Sequence, residues 1–388
     1  MNITEKFFVE LVGAGIKNQA VNDIPEDVNY KQLYNLCASH SMSVVVCKAL
    51  ENLSDKVNQK FLSAIHKSAS RHLMRDVQGE YDVQILLAEF EKRGIKYLPL
   101  KGFHLKKLYP SSEMRYASDF DILIDVKQLK AVRQTVKDLR LEVKRFGEHH
   151  DIVYTPDTKT VFELHKSVFV GNLSKFFGVG FERAKLKDGY KYFYEFSVED
   201  FYISILAHSA YHFASSAGVG IRHLTDVYLY KKAHRINYEY LDSELEKCGL
   251  LQFKNQFEKL ADFFFNGAEA DEFTLKLADY VLESSLLANE SKQHASSVAS
   301  NLENGDSKKA KKHTLFRIFF PKVATMKFAY PILKKAIILL PVFYVYRWFQ
   351  VLFTRPKQIS KLKDVATVDE NDLKKVKEIR DNLGINDL

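Results

Sequence analysis

The chain has 388 residues, of which 46% are hydrophobic and 27% are charged, and its formal net charge is +8. This apolar content excludes a protein that is disordered over most of its length, and the length predicts two or three packed units. Three cysteines without CxxC spacing exclude a disulfide framework and oppose a zinc site, which favours a cytoplasmic location. The first 15 residues contain Glu5 and Glu10 and lack a basic stretch before an apolar run, so they predict a helix and not a signal peptide.

The positive charge is concentrated in one part of the chain. Residues 306–363 contain 14 Lys and Arg and one acidic residue, a net charge of +13, which leaves −5 for the rest of the chain. A protein that is net acidic outside one segment lacks a basic groove, so no DNA partner is expected. The basic segment instead predicts contact with one anionic partner or membrane surface.

Helical periodicity fills residues 1–94 and returns over residues 197–288, where apolar residues recur at three- and four-residue spacing. Gly94 provides the stop of the first region. Residues 95–196 differ, because their segments are short and alternate, with strands predicted in IKYLPL, SDFDILID, LEVKRF, HDIVYT and VFELH. An amphipathic helix is predicted in VKQLKAVRQTVKDLR. We therefore predict an α+β fold in which a small mixed β-sheet core is inserted between helical N-terminal and C-terminal regions.

Three further segments follow. Residues 289–313 are polar and rich in Ser, Asn and Lys, which predicts a linker, and residues 357–388 form a charged C-terminal tail. Residues 314–356 form a basic, aromatic, amphipathic segment. Part of it approaches the length of a membrane span, although Pro341 and Arg347 oppose one. Packing on the protein, interfacial contact with an anionic membrane and a span all stay open from the sequence.

The stretch RYASDFDILID places two aspartates two residues apart. In a strand, Asp119 and Asp121 project from one face, while Phe120, Ile122 and Ile124 project from the other. Two carboxylates held close together repel each other and lose hydration, and an Mg²⁺ ion between them relieves both effects. The alternative is an edge strand whose aspartates face water.

Two flanking motifs favour a metal and phosphate site over that alternative. Lys101 and Gly102 lie where a predicted strand passes into a helix, and a glycine there lets backbone amides approach a phosphate. About forty residues after the aspartates, the strand VFELH offers Glu163 as a third carboxylate, unless Glu163 is a surface residue of a hairpin. His165 lies on the same face and suits a hydrogen-bonded partner of a carboxylate.

The order LKG, a short helix with Tyr109, Arg115, SDFDILI and ELH resembles the nucleotidyltransferases of the DNA polymerase beta superfamily. It is most similar to a branch of large uncharacterised bacterial nucleotidyltransferase-like proteins. LYNLCASHSMSVVVCKAL, IRHLTDVYL, FFPKVATMKFAYPILKK and LLPVFYVYRW resemble that branch as well, so the resemblance covers most of residues 30–350. It implies a nucleotidyltransferase core in residues 95–196.

The resemblance implies transfer of a nucleoside monophosphate from an NTP to an acceptor hydroxyl or phosphate, with release of pyrophosphate and a two-ion Mg²⁺ site. The superfamily's usual Gly-Ser pair is Gly102-Phe103 here, so a hydroxyl that often contacts the triphosphate is missing. Lys101 is the candidate that replaces this phosphate contact. By this resemblance the catalytic, metal-binding residues are Asp119, Asp121 and Glu163, and the nucleotide-binding residues are Lys101, Gly102 and Arg115.

Other polar residues have weaker support. Asp125 shares the parity of the two aspartates but lies where the strand gives way to the next helix, which favours helix capping. His149 and His150 lack a second pair at metal spacing, which favours strand-surface positions. A further set of residues would contact the metal ligands or face the acceptor: His165, His208, His212, Arg222 and Asp226. For the four residues in predicted helices, polar contacts between helices in the core are an equally good explanation.

Three functions are compatible with the sequence. The leading one is a nucleotidyltransferase acting on a small molecule, a glycan precursor or a protein, with RNA ends also open. The second is a non-catalytic, regulatory nucleotide-binding protein, which the complete carboxylate set disfavours because buried charges are costly to keep. The third is a peripheral membrane scaffold that uses residues 314–356. The expected partners are an NTP, an unidentified acceptor and an anionic membrane surface. That surface would be the inner face of the cell membrane.

Overall fold

The computed structural model describes residues 1–169, 172–178, 180–216, 218–284, 298, 307–354, 365, 367–386 and 388. The chain divides into two compact units. The main unit comprises Met1–Tyr211, Val219–Leu287 and Asp387–Leu388, and the C-terminal unit comprises His212–Gly218 and Ala288–Asn386. Within the described ranges, no helix is both long enough and apolar enough to cross a membrane.

Four helices precede the sheet. Asn2, Asn29 and Asn58 cap three of them, because each side-chain oxygen accepts backbone N–H bonds from the first turn. Gly94, with φ +71°, follows the end of the longest helix in a left-handed conformation that suits glycine. The four helices are α1 (Ile3–Ile16), α2 (Tyr30–Ser39), α3 (Ser43–Ala49) and α4 (Gln59–Lys92).

Five strands form one mixed sheet, in the order β1-β2-β5-β4-β3. Strands β2 and β5 are parallel, and the other three pairs are antiparallel. The structure thus confirms the predicted mixed α and β class. The strands are β1 (Tyr97–Pro99), β2 (Asp119–Ile124), β3 (Glu142–Phe146), β4 (His150–Tyr154) and β5 (Val161–His165). Helix α5 (Gly102–Leu105) joins β1 to β2, and α6 (Leu129–Asp138) joins β2 to β3.

The two faces of the sheet have different surroundings. Phe120, Ile122 and Ile124 of β2 are buried in a core with apolar residues of α4 and α6, as the alternation predicted. Burial of each such side chain stabilises the fold by roughly 1.5–3 kcal/mol. On the opposite face, Leu98 and Leu123 belong to a smaller cluster. The polar residues of β2 and β5 project on this second face.

The chain then forms a short hairpin and a second set of helices. Helix α11 (Leu251–Asn266) packs against α9 (Ile221–Ala233) and against α1, so a helix after the sheet contacts a helix before it. These elements are α7 (Asn172–Phe177), β6 (Ala184–Leu186), β7 (Tyr194–Phe196), α8 (Val198–Ser216), α9 (Ile221–Ala233), α10 (Tyr238–Lys247), α11 (Leu251–Asn266) and α12 (Glu272–Glu283).

Among its described residues, the C-terminal unit contains four longer helices: α13 (Ser307–Phe319), α14 (Val323–Ala329), α15 (Leu340–Thr354) and α16 (Glu370–Leu383). Most of the predicted linker 289–313 lies outside the described residues, and its last part begins α13. The predicted tail 357–388 contains α16. The division of the chain into six segments stays a prediction.

Candidate active site

The register of the β2–β5 pair brings two predicted carboxylates together. Asp121 lies directly opposite Glu163, and Leu123 lies opposite His165. Opposite residues in a parallel pair project from the same face, and so do residues two apart along each strand. Asp119, Asp121, Glu163 and His165 therefore share the face that α4 and α6 leave uncovered.

Two cationic side chains contact the carboxylate of Asp121. Lys101 Nζ lies 3.1 Å from Asp121 Oδ1, and His165 Nε2 donates to the same oxygen at 2.7 Å. Burial favours the neutral carboxyl, but Lys101 and then His165 outweigh it and hold the pKa of Asp121 well below its usual range. Asp121 is therefore ionised at neutral pH.

Glu163 is the second carboxylate beside the same imidazole. His165 Nε2 lies 3.6 Å from Glu163 Oε2, and His150 Nε2 lies 3.8 Å from that oxygen. The interaction with His165 lowers the pKa of Glu163 against burial and the charge of Asp121. Burial lowers the pKa of His165, but its bonds to the two carboxylates raise it overall. His165 thus lies between two carboxylates that favour its protonated form.

Asp119 has a different electrostatic environment from its neighbour. Burial and the charges of Asp121 and Glu163 raise the pKa of Asp119, while Lys101 and Arg222 partly offset this effect. One carboxyl with a raised pKa beside another with a lowered pKa is typical of acidic groups that share a site. The ionised form is therefore less favourable at Asp119 than at Asp121.

The site offers ligand atoms at metal-binding separation. One atom each from Asp121, Glu163 and His165 can be chosen so that all lie within 4.8 Å of one another. Two carboxylate oxygens suit Mg²⁺, and an added imidazole also suits Mn²⁺ or Zn²⁺. The sequence predicted Asp119, Asp121 and Glu163 as the ligands and gave His165 a supporting role, so the geometry adds His165 to the candidate ligands.

The turn after β1 places Lys101 beside Asp121. Leu100 N–H donates to the Asp121 carbonyl at 2.9 Å, which fixes the start of the turn against β2. Lys101 then adopts φ +39° and ψ −107°, a conformation that costs a non-glycine residue about 1–3 kcal/mol. At Gly102, a Cβ atom would lie 2.7 Å from Arg115 Nη1, so a larger residue does not fit here without a shift.

Arg115 is buried and forms a two-point ion pair with Asp226. Its Nε lies 2.7 Å from Asp226 Oδ1, and its Nη2 lies 2.8 Å from Oδ2. Tyr109 OH also donates to Asp226 Oδ1 at 2.8 Å. Asp226 of α9 therefore anchors the segment that leads into β2, a partnership that the sequence did not reveal. The predicted phosphate contact of Arg115 stays a prediction.

Arg222 lies at the edge of the site. Its Nη1 donates to the Tyr116 carbonyl at 2.8 Å, and its charge lowers the pKa of Asp119. Burial and the charge of Arg115 lower the pKa of Arg222 itself. Its buried Nε has no hydrogen-bond partner among the described residues. Arg222 is therefore a half-buried cation whose buried Nε is an unused N–H donor among the described residues.

The two histidines predicted to face the acceptor have other surroundings. The ring of His208 stacks on His223 with centroids 5.7 Å apart, and His223 Nδ1 bonds with Ser209 Oγ at 2.9 Å. These are contacts between helices α8 and α9. His212 belongs to the C-terminal unit. The acceptor role of both residues stays a prediction.

Two residues near the site have the local positions that the sequence predicted. His150 lies half-buried in strand β4, where the antiparallel register of β4 and β5 pairs it with His165, and the two rings lie 5.1 Å apart. Only the pairing register could have shown this. Asp125 accepts a bond from Lys127 N–H at 2.9 Å, which is the predicted capping role.

Comparison with known proteins gives one match. A family model described as "Uncharacterised nucleotidyltransferase" matches residues 26–266, more than half of the chain. This range begins before α2, ends with α11 and contains the whole five-stranded sheet with every candidate site residue. No curated protein and no solved structure matches the chain.

Proposed function

The chain belongs to the uncharacterised nucleotidyltransferase family, and we propose that it is a Mg²⁺-dependent enzyme of the DNA polymerase beta type, close to that superfamily's large bacterial branch. It transfers a nucleoside monophosphate from an NTP to an acceptor and releases pyrophosphate. The observation that carries the proposal is the register pairing of Asp121 with Glu163, beside Asp119 and the Lys101 ammonium.

The donor set of the site suits a divalent cation. Asp121 and Glu163 raise the pKa of Asp119, so the three carboxylates repel one another and a bound cation would remove that repulsion. Asp119, Asp121 and Glu163 would hold the Mg²⁺, with His165 as a further candidate ligand. When bound, the metal supplies positive charge that neutralises the triphosphate and makes its α-phosphorus more electrophilic.

Two cationic side chains of this chain would bind phosphate oxygens. Lys101 Nζ lies 3.1 Å from Asp121 Oδ1, so its ammonium lies directly beside the carboxylates. Arg222 brings a guanidinium whose buried Nε donor is unused among the described residues. Both groups offset negative charge on the leaving pyrophosphate, as positively charged side chains do in phosphoryl transfer.

The reaction forms one bond and breaks one. The acceptor oxygen forms a bond to the α-phosphorus, and the bond from that phosphorus to the α,β-bridging oxygen breaks. The electron pair leaves with pyrophosphate, and the acceptor proton passes to a carboxylate or to water. Asp119 and Asp121 would hold the metal, while Glu163 would complete the second metal position or accept this proton.

The acceptor belongs to one of three classes, a small molecule, a glycan precursor or a protein. A non-catalytic nucleotide-binding protein is the second candidate function. The three half-buried carboxylates oppose it, because their mutual repulsion is costly to keep in a protein that does not use them for catalysis.

Calorimetric titration of the full chain with ATP, GTP, CTP and UTP, with and without Mg²⁺, tests the proposal. We expect binding of at least one NTP that requires Mg²⁺, followed by pyrophosphate release when fractionated cell extract supplies the acceptor. Magnesium-dependent binding without pyrophosphate release from any fraction would favour the regulatory protein. Absence of binding by folded protein would overturn both functions.

A further inference from the structure

Helix α15 exposes an apolar face to solvent, and its polar side-chain atoms bond to other parts of the C-terminal unit. Ile338, in the turn before the helix, and Val342, Val345, Tyr346 and Phe349 recur at three- and four-residue spacing, which places them on one face. All five are exposed, Ile338 to 85% and Val342 to 63%. We call these five residues the apolar stripe. A helix that packs on a protein core normally shows the reverse arrangement.

The opposite face of α15 uses its polar atoms within the C-terminal unit. Arg347 Nη1 donates to the Ile318 carbonyl at 3.0 Å, and Trp348 Nε1 donates to the Phe319 carbonyl at 2.8 Å. Both carbonyls belong to the last turn of α13, where a helix leaves its acceptors unsatisfied. Tyr344 OH donates to the Pro321 carbonyl at 2.7 Å. These bonds fix the rotation of α15, so the stripe faces outward because of specific contacts.

The charge around the stripe has one sign. Residues 307–354 contain ten Lys and Arg and no Asp or Glu. Lys334 and Lys335 are exposed and precede Ile338 by four and three residues. An outward apolar face within a purely cationic segment matches the interface of an anionic bilayer, which offers phosphate groups next to acyl chains. We propose that the apolar stripe and the surrounding lysines bind an anionic lipid membrane surface.

A second copy of the chain is the competing occupant, and its charge opposes it. Two such segments would bring ten positive charges against ten, without a carboxylate on either side. Anionic headgroups, by contrast, attract each nearby Lys or Arg. An interfacial position also leaves Arg347 bonded to the Ile318 carbonyl, so the basic group does not need to enter the hydrocarbon region.

Vesicle co-flotation of the full chain tests this surface. One set of vesicles contains phosphatidylcholine alone, and the other contains about 30% phosphatidylserine. Val342→Asp interrupts the stripe, and Lys334→Glu with Lys335→Glu reverses two charges. The matched control is Val77→Asp on α4, because Val77 is exposed to 62%, almost the same as Val342. Circular dichroism and NTP binding verify that each variant is folded.

We expect binding to the anionic vesicles that weakens with salt and is much weaker on phosphatidylcholine alone. Val342→Asp should reduce the bound fraction at least tenfold, the double lysine variant should reduce it about 25-fold or more, and Val77→Asp should leave it unchanged. Equal loss for Val77→Asp, or no binding to either vesicle, would overturn the proposal. A dimer in sedimentation that Val342→Asp abolishes, without vesicle binding, would assign the stripe to self-association and also overturn it.

Discussion

Asp121 and Glu163 face each other across two parallel strands, and His165 Nε2 lies 2.7 Å from the first carboxylate and 3.6 Å from the second. A buried pair of ionised carboxylates is unfavourable without compensating positive charge. In this chain the ammonium of Lys101 provides it, and His165 adds a hydrogen bond to Asp121. The same side chains therefore satisfy the anions and form part of the proposed binding site.

Replacement of Asp121 should abolish magnesium-dependent nucleotide binding. Asp121→Asn keeps the side-chain shape but removes one charge from the cation site, and a bound metal contributes several kcal/mol to this chemistry. We expect nucleotidyl transfer to fall by about 100-fold or more, as measured by pyrophosphate release. Asp125→Asn is the matched control, because Asp125 caps the following turn and should leave transfer intact. Equal activity of Asp121→Asn and native protein would contradict the assignment.

Two substitutions of Lys101 distinguish the effect of its charge on NTP binding from the effect of its backbone strain on stability. Lys101→Ala and Lys101→Gly both remove the ammonium, but only glycine adopts φ +39° without strain. We expect both variants to lose NTP affinity by roughly tenfold or more, since a charged hydrogen bond contributes about 1.5–3 kcal/mol. Lys101→Gly should exceed Lys101→Ala in free energy of unfolding by about 1–2 kcal/mol.

Calorimetry gives the two affinities, and urea titration followed by circular dichroism gives the two free energies of unfolding. Native affinity in Lys101→Gly would show that the ammonium does not bind phosphate. Equal stability of the two variants would show that the turn can relax to an unstrained conformation.

The Arg115–Asp226 pair should behave as a structural unit. Arg115→Met leaves a buried carboxylate with Tyr109 OH as its remaining donor, and we expect the free energy of unfolding to fall by about 3–5 kcal/mol. Adding Asp226→Leu removes that isolated charge and should restore most of the loss. Thermal and urea unfolding of the single and double variants measure the effect. A single variant as stable as native protein would show that Asp226 does not depend on Arg115.

Acid should destabilise the main unit through His40. Its Nδ1 accepts the Ile221 N–H at 3.1 Å and its Nε2 lies 3.2 Å from the Leu282 carbonyl, so the buried ring is neutral. Burial lowers its pKa to about 4. The unfolded chain, with a histidine pKa near 6.5, then binds the proton first. Stability should therefore fall as the pH decreases from about 6.5 towards 4, by up to about 1.4 kcal/mol per pH unit.

The comparison of native protein with His40→Gln isolates this contribution. Between pH 7.5 and 4.5 the stability advantage of native protein should shrink below pH 6.5. His66→Gln is the control, because it removes an exposed histidine on α4. Parallel curves for His40→Gln and native protein would contradict a neutral, buried His40.

The local alternation of apolar and polar residues was sufficient to predict the strands and most of the carboxylate site. Alternation in SDFDILI predicted that Phe120 and Ile122 would be buried and that Asp119 and Asp121 would share the other face, which the structure bears out. Side-chain parity along a strand is a local property, so it can be read without a fold. The same parity could not place His150, because its neighbour depends on how β4 pairs with β5.

By itself the sequence determined the α+β class, the order of the five strands of the main sheet, and the residue types of the proposed metal and phosphate site, because periodicity, caps and turn residues act over a few positions. Only the tertiary structure decided that Asp121 faces Glu163, that Asp226 binds Arg115 and that the apolar stripe of α15 points outward. These outcomes depend on strand register, on which helix lies beside which loop and on the rotation of a helix. Such features are fixed by contacts between residues far apart in the chain, and no short segment encodes them.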